Sequence, residues 1–330
     1  MNRWLIALLC LALCVPTARA WDAGGHEIVA TIAYAHLNPK ARAAVDLLAP
    51  QISRPAHPYD AITLACWMDD IRHDQSLADY GKFKAWHYID IPLDSRDPMP
   101  ALEPGNDNDV SGDAVQALKR AMVVLEGGTD PYVTTQPMAL AIIEHLVGDI
   151  HQPLHCAKKY FFSHGEWRND KGGNDEFVLN GPPGADKFNL HAFWDSAWRA
   201  SFDEASGNVV LSGPSNPAAY LDPSTLHDLA ASLDHAASSS SENLAPNFEA
   251  WARESNAIAR DFVYPGITVT DNRKYCRLGS TYVAQSREIA QKRLELAGLR
   301  LATLLNATLG SAAPAPPPPS YPAGPPAESY

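Results

Sequence analysis

The 330-residue chain is poor in cysteine, in cationic side chains and in long apolar runs. Of its five cysteines, Cys10 and Cys14 lie in the first twenty residues, leaving Cys66, Cys156 and Cys276. An odd number allows at most one internal disulfide among these three, and their spacing matches no cysteine zinc site. Lysine and arginine total 26 against 38 aspartates and glutamates, which argues against nucleic-acid binding through a basic surface. A nucleic-acid substrate is still compatible with this charge if bound metal supplies the positive field. No apolar stretch reaches the roughly 20 residues that span a bilayer. Neither a fixed-period repeat nor a histidine tract is present.

The two ends read differently from the middle. Arg3 provides a positive start, Trp4 to Val15 a short apolar core, and Ala18-Arg19-Ala20 a small-x-small cleavage signal. Residues 1–20 are therefore expected to be a cleaved signal peptide and the protein to be secreted or periplasmic. Losing Arg3 and Arg19 with the leader moves the formal charge from −12 to −14. Beyond Gly310 the chain is SAAPAPPPPSYPAGPPAESY, a composition that buries no core and favours extended polyproline conformations. Residues 311–330 are expected to be a disordered tail, and 21–310 a single domain.

That domain reads as mainly α. Apolar spacing predicts helices over His26–Leu37, from Pro39 to near Pro50, and over Ile62–Arg72, Gly112–Glu126, Gln136–Ile150, Leu190–Ala200, Ser224–Ala237, Pro246–Val263 and Tyr282–Leu309. Trp86–Ile91 and Glu176–Leu179 read as short extended segments.

Within this frame the run His145–His155, HLVGDIHQPLH, carries the chemistry. His145 and Asp149 are four residues apart and share one helix face; Pro153 ends that helix, and His155 follows from another direction. His191 and Asp195 in NLHAFWD repeat the i, i+4 pair. Imidazole and carboxylate at this spacing suit Zn²⁺, which takes N and O ligands at about 2.0–2.2 Å. Polar residues beside apolar positions extend the candidate set to His26, Asp69, His87, His145, Asp149, His155, His191 and Asp195. Leaving so many buried charges without partners would be costly. His36, His57, His73, His164, His227 and His235 sit in polar contexts and read as solvated, while His151 is ambiguous.

Trp21 with GGH shortly after it, WMDDIR, WHYID, HLVGDIHQPLH, KGGN and NLHAFWD occur in this order between Trp21 and Trp198. Together they resemble the zinc-dependent single-strand nucleases and 3′-nucleotidases of fungi, plants and bacteria (the S-one and P-one nucleases). The resemblance implies the helical fold shared with zinc phospholipase C and three zinc ions. One would take Asp69, His87, His145 and Asp149. A second would take the α-amino group and carbonyl of Trp21, His26 and the other oxygen of Asp149; the third would take His155, His191 and Asp195. Signal removal would then create a ligand, because only a free Trp21 amine can donate. The implied reaction is hydrolysis of single-stranded DNA and RNA to 5′-mononucleotides by a metal-activated hydroxide, with removal of 3′ phosphates as a companion activity. Asp149 would bridge two metals, Arg72 would clamp the phosphate, Tyr88 would stack on a base, and Asp90 and Asn174 would meet the base edge.

Two departures concern the base pocket. The stretch between His155 and Gly172 is longer than in the fungal nucleases, and Phe161, Phe162 and Trp167 within it are candidates for a stacking surface. Lys171 stands where the fungal enzymes have an apolar wall. The alternative enzyme is a zinc phospholipase C, but its last zinc ligand is glutamate where this chain has Asp195. The non-enzymatic alternative, a periplasmic zinc-binding protein, fits poorly with a chain lacking a histidine tract. Neither a stable membrane association nor an obligate protein partner is expected.

Overall fold

Asp22 accepts the Gly25 N–H and so starts α1 (Ala23–Ala35). Asn38 does the same for α2 (Pro39–Leu48), whose first residue is a proline where no helical N–H is needed. The computed structural model describes residues 21–52, 58–73, 81–94, 110–163, 165–185, 187–235, 243–269 and 275–311. The expected leader, the tail beyond Ser311, His57, His164 and residues 236–237 lie outside the described residues, as does the side chain of His73; the helix expected to reach Ala237 already stops at Leu233, with Asp234 as its C-cap.

A 3₁₀ turn, Thr63–Cys66, leads into α3 (Trp67–His73). Asp113 and Thr135 cap α4 (Ala114–Leu125) and α5 (Gln136–Asp149). Then come α6 (Leu190–Asp195), α7 (Pro223–Leu233), α8 (Phe248–Ile258) and α9 (Ser280–Thr308). The fold is mainly α, as expected, and no helix among the described residues is long and apolar enough to cross a membrane. α5 is its axis: every residue from Met138 to Asp149 is buried, the mark of a helix enclosed on all sides. α1, α4 and α9 pack around it, with α2 and α3 on its flanks.

The strands are short. β1 (Tyr160–Ser163) and β2 (Glu166–Asn169) form a hairpin, as do β4 (Ala200–Asp203) and β5 (Asn208–Leu211). β3 (Phe177–Val178) runs parallel to β7 (Tyr275–Arg277), which pairs antiparallel with β6 (Thr268–Val269).

Three further expectations need correction. The helix expected to reach Ala200 stops at Asp195; Ala197–Arg199 is a 3₁₀ turn, and Ala200 opens β4 opposite Leu211. Arg199 is drawn inward there to meet Asp22, so a tertiary ion pair overrides helix propensity. Lys84–His87 is a 3₁₀ turn, so the segment expected to be extended from Trp86 becomes so only at Tyr88. α8 ends at Ile258 and continues as a π turn, Ala259–Val263, in place of the α-helix expected there. Among the described residues, Cys66, Cys156 and Cys276 are buried thiols in no disulfide.

Candidate metal centre

The last turn of α5 delivers His145 and Asp149 to one face, both fully buried. The His145 Nδ1 lies 2.7 Å from the Ala65 carbonyl, which only accepts, so Nδ1 carries a proton and Nε2 turns inward. Nε2 faces Asp149 Oδ2 at 3.4 Å and His87 Nδ1 at 3.0 Å. His87, from the turn before Tyr88, also lies 3.2 Å from Asp149 Oδ2, with Asp69 Oδ1 of α3 at 4.0 Å. On the opposite side, His26 of α1 brings its Nε2 within 3.4 Å of Asp149 Oδ1 and stacks on the His145 ring at 4.0 Å. Asp149 thus offers one oxygen to His26 and the other to His87 and His145.

A separate group is built where the chain leaves α5. His155 donates Nδ1–H to the His87 carbonyl at 2.5 Å, and His191 donates its own to the Gly172 carbonyl at 2.7 Å. Their Nε2 atoms then confront each other at 3.0 Å. With both Nδ1–H groups committed to carbonyls, neutral rings would present lone pair to lone pair, an arrangement that a cation between them resolves. Asp195, one turn after His191, places Oδ1 3.7 Å from His191 Nε2 and accepts the Gln152 amide at 2.6 Å.

Burial deepens the need for a cation. Asp69 Oδ1, His87 Nε2 and Asp149 Oδ1 are buried without a hydrogen-bond partner among the described residues, a state that costs roughly 1–3 kcal/mol per group and more for charges. Burial pushes Asp149 up to about 6, although His145 pulls it back. Burial lowers His145, but Asp149 outweighs it and holds the imidazole above its usual range. The pair competes for one proton, which a dication would displace. Burial, then Arg72 and the neighbouring imidazoles, keep His87 well below its usual range and therefore neutral, as a ligand must be. Burial also raises Asp195 well above the ordinary carboxylate range.

Three sets therefore converge, each with donor atoms within 4.8 Å of one another: His26, His145 and Asp149; Asp69, His87 and His145; and His155, His191 and Asp195. Their all-nitrogen-and-oxygen donor chemistry fits a divalent metal of the zinc type. Residues 21–310 match the family model of the S1/P1 nucleases. The chain belongs to the S1/P1 nuclease family. It is similar to Arabidopsis thaliana Endonuclease 2, 26% identical over 314 residues that cover 93% of this chain and 96% of the relative. Endonuclease 3 of the same plant is 25% identical, covering 93% and 95%, and Endonuclease 4 is 26% identical, covering 94% and 96%. As a member of this family the protein is a nuclease, and so a hydrolase, with His/Asp clusters arranged to bind metal.

The indole of Trp21 is buried and donates to the Gly148 carbonyl at 2.9 Å, beside Asp149. Arg72 Nη1 lies 3.6 Å from Asp69 Oδ1. Tyr88 is 42% exposed. The Asp90 carboxylate is engaged by Lys158. Asn174 donates to the Lys171 carbonyl, and its own carbonyls accept from Asn189. His151 is not brought to the metal sets: its Nε2 accepts from Arg300 and its Nδ1 donates to Val147.

Two supporting residues escaped the sequence reading. Gln152 holds Asp195, and the only trace of this is its place between Asp149 and His155. Asp22 accepts Gly25 N–H, Trp198 Nε1, Arg199 Nε and Ser196 Oγ, while its own N–H donates to the Asp195 carbonyl at 3.0 Å. An aspartate three residues before a glycine reads only as a helix cap.

Proposed function

We propose that the protein is an exported zinc-dependent endonuclease that cleaves single-stranded DNA and RNA to 5′-mononucleotides and removes 3′ phosphates. The observation that carries the metal dependence is the convergence of His155, His191 and Asp195, with the two Nε2 atoms held 3.0 Å apart by carbonyl-anchored rings. Asp149, with its two oxygens turned to different histidines, is the second support. Zinc, when bound, supplies Lewis-acid polarisation of a phosphate and a water acidic enough to react near neutral pH.

In this reading Asp69, His87, His145 and Asp149 hold one ion. His26, the Trp21 amine and carbonyl, and the second oxygen of Asp149 hold another, and His155, His191 and Asp195 hold the third. Gln152 orients Asp195 through its amide. Arg72 stands one turn from Asp69, so its guanidinium can hold the scissile phosphate by paired N–H donation. Tyr88 offers an exposed ring for a base that has left its stack, which favours single strands over duplex. Asn174 and Asp90, the latter in its pair with Lys158, are the candidates to meet the base edge. Release of residues 1–20 frees the Trp21 amine, so processing and activation coincide.

The test uses protein beginning at Trp21, given RNA, single-stranded DNA, duplex DNA and phosphatidylcholine, with and without a chelator. The expected result is 5′-mononucleotides from both single-stranded substrates, abolished by chelator and restored by zinc. Lipid cleavage without nucleotide release would transfer the assignment to a phospholipase. Metal-loaded protein that turns over neither substrate class would leave metal binding as the function.

A further inference from the structure

The β1–β2 hairpin carries two large aromatic side chains that the core does not use. Phe162 is 62% exposed and Trp167 is 53% exposed. They are direct cross-strand partners with rings 5.6 Å apart at 70°. Edge-to-face packing accounts for their contact with each other, but not for exposing both to water. Gly165, with φ 82°, makes the tight turn above them.

The base of this hairpin is built into the candidate metal centre. β1 begins five residues after His155, and β2 ends three residues before Gly172, whose carbonyl anchors His191. Asp170 closes the hairpin base: its carboxylate accepts the N–H groups of Lys159, Gly172 and Gly173 and the Tyr264 hydroxyl. Lys158 N–H bonds to Ile91, and Ile89 N–H bonds to His155, which ties the hairpin to the segment carrying Tyr88. The Phe162–Trp167 rung is three residues beyond the Lys159–Asp170 contact, roughly 10 Å at 3.3 Å per residue. The cations of this segment, Lys158, Lys159, Arg168 and Lys171, face Asp90, Glu176, Glu166 and Asp175, so the aromatic pair rather than charge distinguishes the hairpin.

We propose that this hairpin is a second stacking platform for a polynucleotide: Phe162 and Trp167 take a base of the strand beyond the nucleotide held at the metal centre. Aromatic faces accept every base, so the platform favours polymers over mononucleotides without adding sequence preference. The proposal rests on the nuclease reading above and extends it from the cleaved nucleotide to its neighbours.

The test compares kcat/KM for a thymidylate oligomer and for a 3′-mononucleotide, in zinc-loaded enzyme and in the variants Phe162→Ala/Trp167→Ala and Trp167→Phe. Truncating the stack should lower the polymer-to-mononucleotide ratio by roughly tenfold, through KM for the polymer, and Trp167→Phe should retain most of it. An unchanged ratio in the alanine variant overturns the proposal. A change in sedimentation coefficient without a change in ratio also overturns it, because the aromatic pair would then be a contact between copies. Oligomer quenching of tryptophan fluorescence, read as the difference between the parent and Trp167→Phe, gives a measure independent of turnover. If no nucleotide is hydrolysed, the nuclease reading fails, while quenching still supports the platform and its absence still refutes it.

Discussion

Asp22 is the residue on which the N-terminal turn depends. Burial pushes its carboxyl up, yet Arg199, Trp198 and Gly25 pull it back. With only donors facing its oxygens, we take the group to be the carboxylate. Removing one partner of a buried ion pair leaves the other charge uncompensated, at about 3–5 kcal/mol. Asp22→Ala is expected to destabilise the protein by that amount in urea melts. Because the turn that this side chain anchors carries Trp21 and backs onto the Asp195 carbonyl, loosening it should lower metal content per chain, measured by elemental analysis, as well. Stability within about 0.5 kcal/mol of the parent, the usual range for surface changes, would remove Asp22 from this role.

At the scale of elements, the α1–α9 crossing sets how closely two long helices approach. A Cβ on Gly298 would lie 2.7 Å from Ile32 Cβ and 3.0 Å from the Val29 carbonyl. An exposed helical glycine replaced by alanine gains about 1 kcal/mol, but overpacking costs about 1–3 kcal/mol, and here the obstacles are backbone and a branched Cβ. Gly298→Ala should therefore lower the melting temperature; a rise would mean that the crossing relaxes freely.

Helices α8 and α9 are joined by charge as well. Glu254 accepts from Arg300 at 2.6 and 2.8 Å and from Arg293 at 3.1 Å, and Arg293 also donates to the His151 carbonyl behind the metal-binding segment. Burial raises Glu254, but the two arginines outweigh it and hold it below its usual 4.5. A depressed carboxylate contributes stability above its unfolded value and loses it as pH falls through the folded one. Glu254→Gln should cost about 1–2 kcal/mol at pH 7, discounted because Glu254 is partly exposed. That difference from the parent should shrink as unfolding is followed from pH 5 down to pH 3. A difference independent of pH would assign the effect to packing.

Across the whole molecule, three ligand groups draw α1, α3, α5, α6 and two irregular turns to one place. Metal bound only by the folded state stabilises it by mass action, about 4 kcal/mol per site at a thousandfold excess over Kd. Chelation should lower the melting temperature by several degrees, and zinc should restore it in proportion to its logarithmic concentration. A melting temperature indifferent to chelator would mean that the clusters hold no metal in the native protein.

The helices were legible because burial imposes a 3.6-residue period, and the i, i+4 pairs His145/Asp149 and His191/Asp195 were legible for the same geometric reason. The ordered motifs from Trp21 to Trp198 likewise implied the family. What stayed hidden has no local period. The β1–β2 and β4–β5 hairpins are only four residues per strand, too short for alternation to stand out. The early stop at Asp195 depends on Arg199 finding Asp22, 177 residues away. The engagement of Asp90 by Lys158 and of His151 by Arg300 likewise joins residues far apart in the chain. Local spacing thus determined which residues could bind metal. Only the tertiary structure decided their tautomers, their carbonyl anchors and which oxygen of Asp149 faces which histidine, because those depend on backbone groups brought together by long-range packing.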